Sequence, residues 1–107
     1  MKNPVTSLHL LAEQKSGVKT PVDIKIGHPY EIETPDGKKH SACSIDIEGL
    51  FASLPDIQGE DSFQALSLAI RFVEQQLLYF MRKGGLLYYE DGSPFDIKPY
   101  FQQLEMP

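Results

Sequence analysis

The stretch from Gly59 to Ile70, GEDSFQALSLAI, decides how this chain is read. Either Ser62 is a chemical attachment point, or Asp61 and Ser62 only open a helix. The flanking residues answer for the helix. The Asp61 carboxylate can accept from the amide of Gln64, and the Gln64 side chain can reach back, a capping-box arrangement. Glu60 and Asp61 place negative charge at the positive end of the helix dipole. Arg82 and Lys83 place positive charge at the other end, and Gly84-Gly85 stops the pattern. The spacing predicts a helix over 61–83, about 33 Å long.

Within that helix Phe63, Leu66, Ile70, Val73, Leu77 and Phe80 recur every three or four residues and read as the inner stripe. The apolar surface is wider than one stripe, because Ala65, Leu68, Ala69, Phe72 and Tyr79 carry it round the side. Gln64, Ser67, Arg71, Glu74, Gln75 and Arg82 make the polar face, with Leu78 among them. One sheet face cannot cover so broad a band. The flank holding Leu68, Phe72 and Tyr79 needs a cover from the C-terminal segment, from the loop after Gly49 or from another chain.

Outward from the helix, the first half reads as strands. Val5 to Gln14 has partly alternating apolar residues and reads as a strand, although it also holds good helix formers; Ser16-Gly17 breaks it. In VDIKI, Val22, Ile24 and Ile26 point one way and Asp23 and Lys25 the other. Gly27-His28-Pro29 marks a bulge or bend. YEIE resumes the extended pattern, and TPDGKK is a hairpin turn: Pro35 presets φ, Asp36 bonds its own backbone and Gly37 takes a positive φ. On the returning strand Cys43, Ile45 and Ile47 share a core face, while Ser44, Asp46 and Glu48 share a wet one. The segment from Gly49 to Glu60 is too apolar for a free linker and is expected to pack back, as a short helical turn. After the helix, LLYYE reads as a short strand, Asp91 to Pro94 as a turn, and FDIKPYF as alternating again. The layout is β-β-β-α-β: an α+β fold with one long helix on a mainly antiparallel sheet, and 1–107 as a single domain.

The totals agree with an ordinary globular protein: 107 residues, 41% hydrophobic and 23% charged. A single cysteine, Cys43, excludes an internal disulfide and suits a reducing cytoplasm. No run approaches the ~20 apolar residues of a membrane span. A net charge of −5 repels nucleic acid, since the longest basic runs are Lys38-Lys39 and Arg82-Lys83; it suits a basic protein partner, and it equally serves plain solubility, the commoner reason for such a balance.

No set of residues announces a reaction. Asp-Ser before an apolar residue resembles the serine of acyl carrier proteins, but those are helical bundles and sixty residues of strand pattern precede Ser62 here. Cys43 lacks a histidine on its own face, because His40 is an odd number of residues away along a strand, so it reads as core. His9, His28 and His40 come from separate segments without metal-ligand spacing, and no metal or cofactor is expected. Gly84-Gly85 follows a helix and is no phosphate loop. The aromatic last third, with Tyr79, Tyr88, Tyr89, Phe95, Tyr100 and Phe101, serves either as a protein interface or as the missing cover of the helix.

IGHPYEIETPDGKKHSACSIDIEGL followed by GEDSFQALSLAIRFVEQQL resembles a small bacterial domain family of unknown function. Its pattern is an Ile-Gly-x-Pro strand, here Ile26 to Pro29; a Cys-x-Ile-x-Ile-x-Gly-Leu strand, here Cys43 to Leu50; and a Gly-x-Asp-Ser-x-Gln-Ala-Leu helix start, here Gly59 onward. The resemblance implies a bacterial source and a structural role for Asp61-Ser62, and it supplies no catalytic residue. The expectation is a non-enzymatic, acidic, cytoplasmic protein-binding domain. Its sharper form is an immunity protein that neutralises a basic toxin domain, and the alternative is a homo-oligomeric domain. Leu68, Phe72 and Tyr79 on the helix and Asp46 and Glu48 on the strand are the candidate partner-binding residues.

Overall fold

A computed structural model describes residues 1, 3–14 and 17–101. The strands are β1 (Thr6–Glu13), β2 (Lys19–Ile26), β3 (Tyr30–Glu33), β4 (Lys39–Cys43), β5 (Ile45–Glu48), β6 (Ile57–Gly59) and β7 (Leu86–Tyr88). The helices are α1 (Ser62–Arg82) and the short α2 (Lys98–Phe101). The expected α+β architecture is present: antiparallel strands and one long helix packed on them.

The larger sheet has the order β5-β2-β1-β7 and the smaller one β3-β4-β6. They belong to one folded ribbon. β2 and β3 are a single extended segment broken at Gly27-His28-Pro29, and β4 and β5 are another, broken at Ser44. The two breaks face each other. The Gly27 amide donates to the Ser44 carbonyl at 2.9 Å, and the Cys43 thiol donates to the Gly27 carbonyl at 3.1 Å. A Cβ on Gly27 would lie 2.3 Å from the Ser44 hydroxyl, so a side chain there would have to displace that hydroxyl. Strands that bend at such a corner pass from one sheet to the next without losing their partner. The far end of the ribbon closes as expected at Thr34 to Lys38, with Gly37 at φ +79° and its amide bonded to the Thr34 carbonyl.

Alternation fixes what each strand buries. Leu10 and Ala12 of β1, Val22, Ile24 and Ile26 of β2, Ile45 and Ile47 of β5 and Leu87 of β7 all point into one core. On the smaller sheet Cys43 joins that core. Ala42, its neighbour, pairs with Tyr30, whose hydroxyl donates to Asp56 from the opposite edge of the sheet.

The helix begins as its sequence dictates. Asp61 is extended and its carboxylate accepts from the Gln64 amide at 2.8 Å. The Gln64 side chain reaches back, but to the amide of Glu60 at 2.6 Å, one residue before the cap. At the other end Gly84 takes φ +94°, its amide bonds to Met81, and the Gly85 amide bonds to Phe80, which is a Schellman termination.

The buried face differs from the expected stripe. Ala65, Ala69, Val73 and Leu77 are the buried residues of α1, whereas Phe63 is 81% and Ile70 40% exposed. The helix is turned by roughly 50° from the face that the large side chains suggest, at ~100° per residue. Two alanines in the first half let the helix lie with Cα atoms within 8 Å of β4 and β6. A Cβ on Gly59 would stand 2.5 Å from the Ala65 nitrogen, so the chain is at contact there.

Three further expectations change. The segment after Gly49 contains β6, not a helical turn, because Ile57 to Gly59 pairs with Ser41 to Cys43. The three expected strands before the helix become six, since two are cut at the corner and β6 is added. Residues Phe95 to Phe101 do not alternate as a strand. Pro94 makes one bridge to Tyr88, after which Asp96 accepts from the Lys98 amide and α2 follows. The tail beyond Phe101 and Ser16 lie outside the described residues.

Asp61→Ala is expected to lower the unfolding free energy by about 1 kcal/mol, and Ser62→Ala to change it by less than about 0.5 kcal/mol. Gly59→Ala is expected to cost about 1–3 kcal/mol, as overpacking does. Urea titration of the three variants checks all of this. Two turn carboxylates add a pH dependence. The Thr34 hydroxyl and then the Lys38 amide hold Asp36 below the ordinary value of 3.8, and the Ser93 hydroxyl and amide do the same for Asp91. A lowered folded pKa stabilises above the unfolded value and the gain is lost as pH falls through the folded one. Stability is therefore expected to fall below about pH 3.8, less steeply in the double variant Asp36→Asn, Asp91→Asn.

Candidate functional site

Among the described residues, two surfaces remain open once the core is made. The first is the outer face of the larger sheet, where no helix lies. Strand register sets its side chains in cross-strand rows. Asp46 of β5 stands opposite Lys25 of β2, and Glu48 stands opposite Asp23, which in turn stands opposite His9 of β1. Residues directly opposite on antiparallel strands have Cβ atoms roughly 5 Å apart, where like charges repel. Asp23 and Glu48 are such a pair. Asp23 is relieved on one side by His9, whose Nδ1 lies 2.5 Å from its carboxylate. Glu48 has no ion-pair partner among the described residues.

Beside this row the face dips into a shallow cup of about 520 Å³ lined by His9, Leu10, Leu11, Pro21, Asp23 and Glu90. Leu11 and Pro21 pair across the strands and give the cup an apolar floor. Asp23 and Glu90 give it acidic walls. An apolar floor with carboxylates at the rim suits a lysine or arginine side chain, whose stem is greasy and whose head is charged.

The second surface is the helix. Leu68 is 40% and Tyr79 54% exposed on one flank, with Phe72 half-buried between them against the core. The loop residues Leu50, Phe51 and Leu54 and the late residues Phe95, Ile97 and Phe101 pack on the core, yet they leave this flank open. On the opposite flank Phe63 and Ile70 are exposed. Ile70 also lines an apolar hollow of about 230 Å³ with Leu8, Ile24, Ile26 and the α2 aromatics Tyr100 and Phe101.

The five residues expected to bind a partner therefore do not form one patch. Ile45 and Ile47 face the core and α1, so Asp46 and Glu48 point away from the helix, while Leu68, Phe72 and Tyr79 lie on it. The pairing of His9 with Asp23 escaped the sequence reading. The signal was the turn near Gly17: a hairpin closed there puts residues 9 and 23 opposite each other.

The reactive groups considered from sequence stand apart. Ser62 is exposed at the first turn of α1, and the six strands before it make a fold unlike a helical carrier bundle. Cys43 is buried at the corner, and burial pushes its thiol pKa up. Among the described residues no three His, Cys, Asp or Glu side chains converge as metal ligands, and no helix is long and apolar enough to cross a membrane. Comparison with protein-family models, curated proteins and solved structures finds no match.

A buried thiol with a raised pKa is a poor nucleophile. Cys43 is expected to resist a disulfide reagent at neutral pH in the native protein and to react fully in denaturant. Stoichiometric reaction under native conditions would place the thiol in a reachable site.

Proposed function

We propose that this chain is a non-enzymatic protein-binding domain that docks a basic partner on the outer face of its larger sheet. The observation that carries the reading is the Glu48–Asp23–His9 row beside the acidic cup. Two carboxylates sit directly across from each other at the surface, and among the described residues Glu48 has no ion-pair partner. A lysine or arginine from a partner relieves that repulsion and rests its stem on Leu11 and Pro21. The net charge of −5 adds long-range attraction for a basic protein and speeds encounter.

The sharper form of the proposal is an immunity protein that neutralises a basic toxin domain. Its supports are small size, acidity and the resemblance of Ile26–Pro29, Cys43–Leu50 and the helix start to a small bacterial family of unknown function. Cytoplasmic residence belongs to the same proposal and is favoured by the one free thiol.

The test is affinity capture with the intact chain, followed by calorimetric titration of the captured protein. The partner is expected to be basic, to bind more weakly as salt rises, and to lose roughly tenfold in affinity for Asp23→Asn or Glu48→Gln. Suppression of the partner's toxicity on co-expression supports the immunity role. Affinity untouched by either substitution, or no protein partner at all, contradicts the proposal.

A further inference from the structure

The exposed flank of α1 has a pattern that polar solvent does not require. Leu68, Phe72, Gln75 and Tyr79 follow one another at steps of four, three and four. Asp61 lies in line with them toward the start of the helix, beyond the buried Ala65, and Arg82 toward its end. This is the heptad spacing by which one helix packs along another. The flank is also polarised. Glu60 and Asp61 stand at one end, Arg82 and Lys83 at the other, and the apolar residues lie between. The Lys83 ammonium sits 5.5 Å from the centre of the Tyr79 ring, so the charged and apolar parts of that end are contiguous.

We propose that a second copy of this chain occupies this flank, with the two α1 helices antiparallel about a two-fold axis close to Phe72. A two-fold requires a self-complementary surface, in which each residue meets its counterpart's partner. The antiparallel arrangement supplies it. Glu60 and Asp61 of one copy face the Arg82–Lys83 end of the other, Leu68 faces Gln75, Tyr79 faces Gln64, and the two half-buried Phe72 side chains flank the axis. A parallel pair would set carboxylate against carboxylate and guanidinium against guanidinium. The contact buries Leu68 and Tyr79, the large apolar side chains left open on this flank. It does not use the outer face of the sheet, so it stands or falls apart from the heterologous partner.

Sedimentation equilibrium of the pure chain tests it, at about 10–200 μM and low salt, where contacts of modest area are populated. A monomer–dimer equilibrium is expected. Leu68→Glu and Tyr79→Glu each weaken it by about tenfold or more, with the circular dichroism spectrum unchanged because both side chains are already exposed. Glu60→Lys alone and Arg82→Glu alone each weaken it, and the two together in one chain restore it. A monomer throughout that range overturns the proposal. So does a dimer indifferent to Leu68→Glu and Tyr79→Glu, or a charge-reversed double variant no stronger than its singles.

Discussion

The close seating of α1 on the small sheet is the constraint from which the remaining features follow. Gly59, Ala65 and Ala69 are the residues that permit it. A Cβ at Gly59 meets the backbone of Ala65, and both alanines are fully buried. Helices settle where side-chain volume allows the nearest approach, because a gap forfeits dispersion along its whole length. Here that rule prevails over maximal burial of large side chains. The helix turns its small residues inward over β4 and β6, and it turns Val73 and Leu77 inward further along. Phe63, Leu68, Ile70 and Tyr79 are left outside, and the exposed apolar flanks result.

The corner at Gly27 and Ser44 does comparable work for the sheets. It lets one long hairpin supply an edge strand and its inner neighbour to each sheet, so a single helix can cover their inner faces. Cys43 is consumed in this joint, its thiol spent on the Gly27 carbonyl. The outer face of the larger sheet is the side left to solvent, and its charges are arranged by register alone. Both candidate binding surfaces thus follow from a geometry in which one helix faces two sheets on one side only.

Much of this was legible in the residues. Asp61, Gln64 and the Gly84-Gly85 pair set the limits of the helix, since caps are local and depend on few neighbours. The turn at Pro35 to Gly37 and the alternation through Val22 to Ile26 and Ile45 to Ile47 were equally plain, because strand period and turn chemistry are short-range. The rotation of α1 was not. Alanine contributes little to an apolar pattern, so Phe63 and Ile70 outweighed Ala65 and Ala69 on the helical wheel, while only the packed structure reveals the demand for small volume. The break at Ser44 was hidden because alternation runs straight through it. β6 was hidden because three residues carry too short a pattern. Residues Phe95 to Phe101 misled because Asp96, which bonds the Lys98 amide, starts a helical turn inside an apparently alternating run. The acidic row needed pairing across strands. Asp46 and Glu48 were visible as a wet face, but their neighbours Asp23 and His9 depend on two registers that no single segment specifies.

Equilibrium unfolding of Phe63→Ala tests the seating of the helix most directly. With the ring outside the core and alanine the better helix former, the unfolding free energy is expected to stay within about 0.5 kcal/mol of the parent or rise slightly. A loss of about 3–5 kcal/mol, the value for a phenylalanine removed from a packed interior, would mean that the helix rests on its large side chains after all.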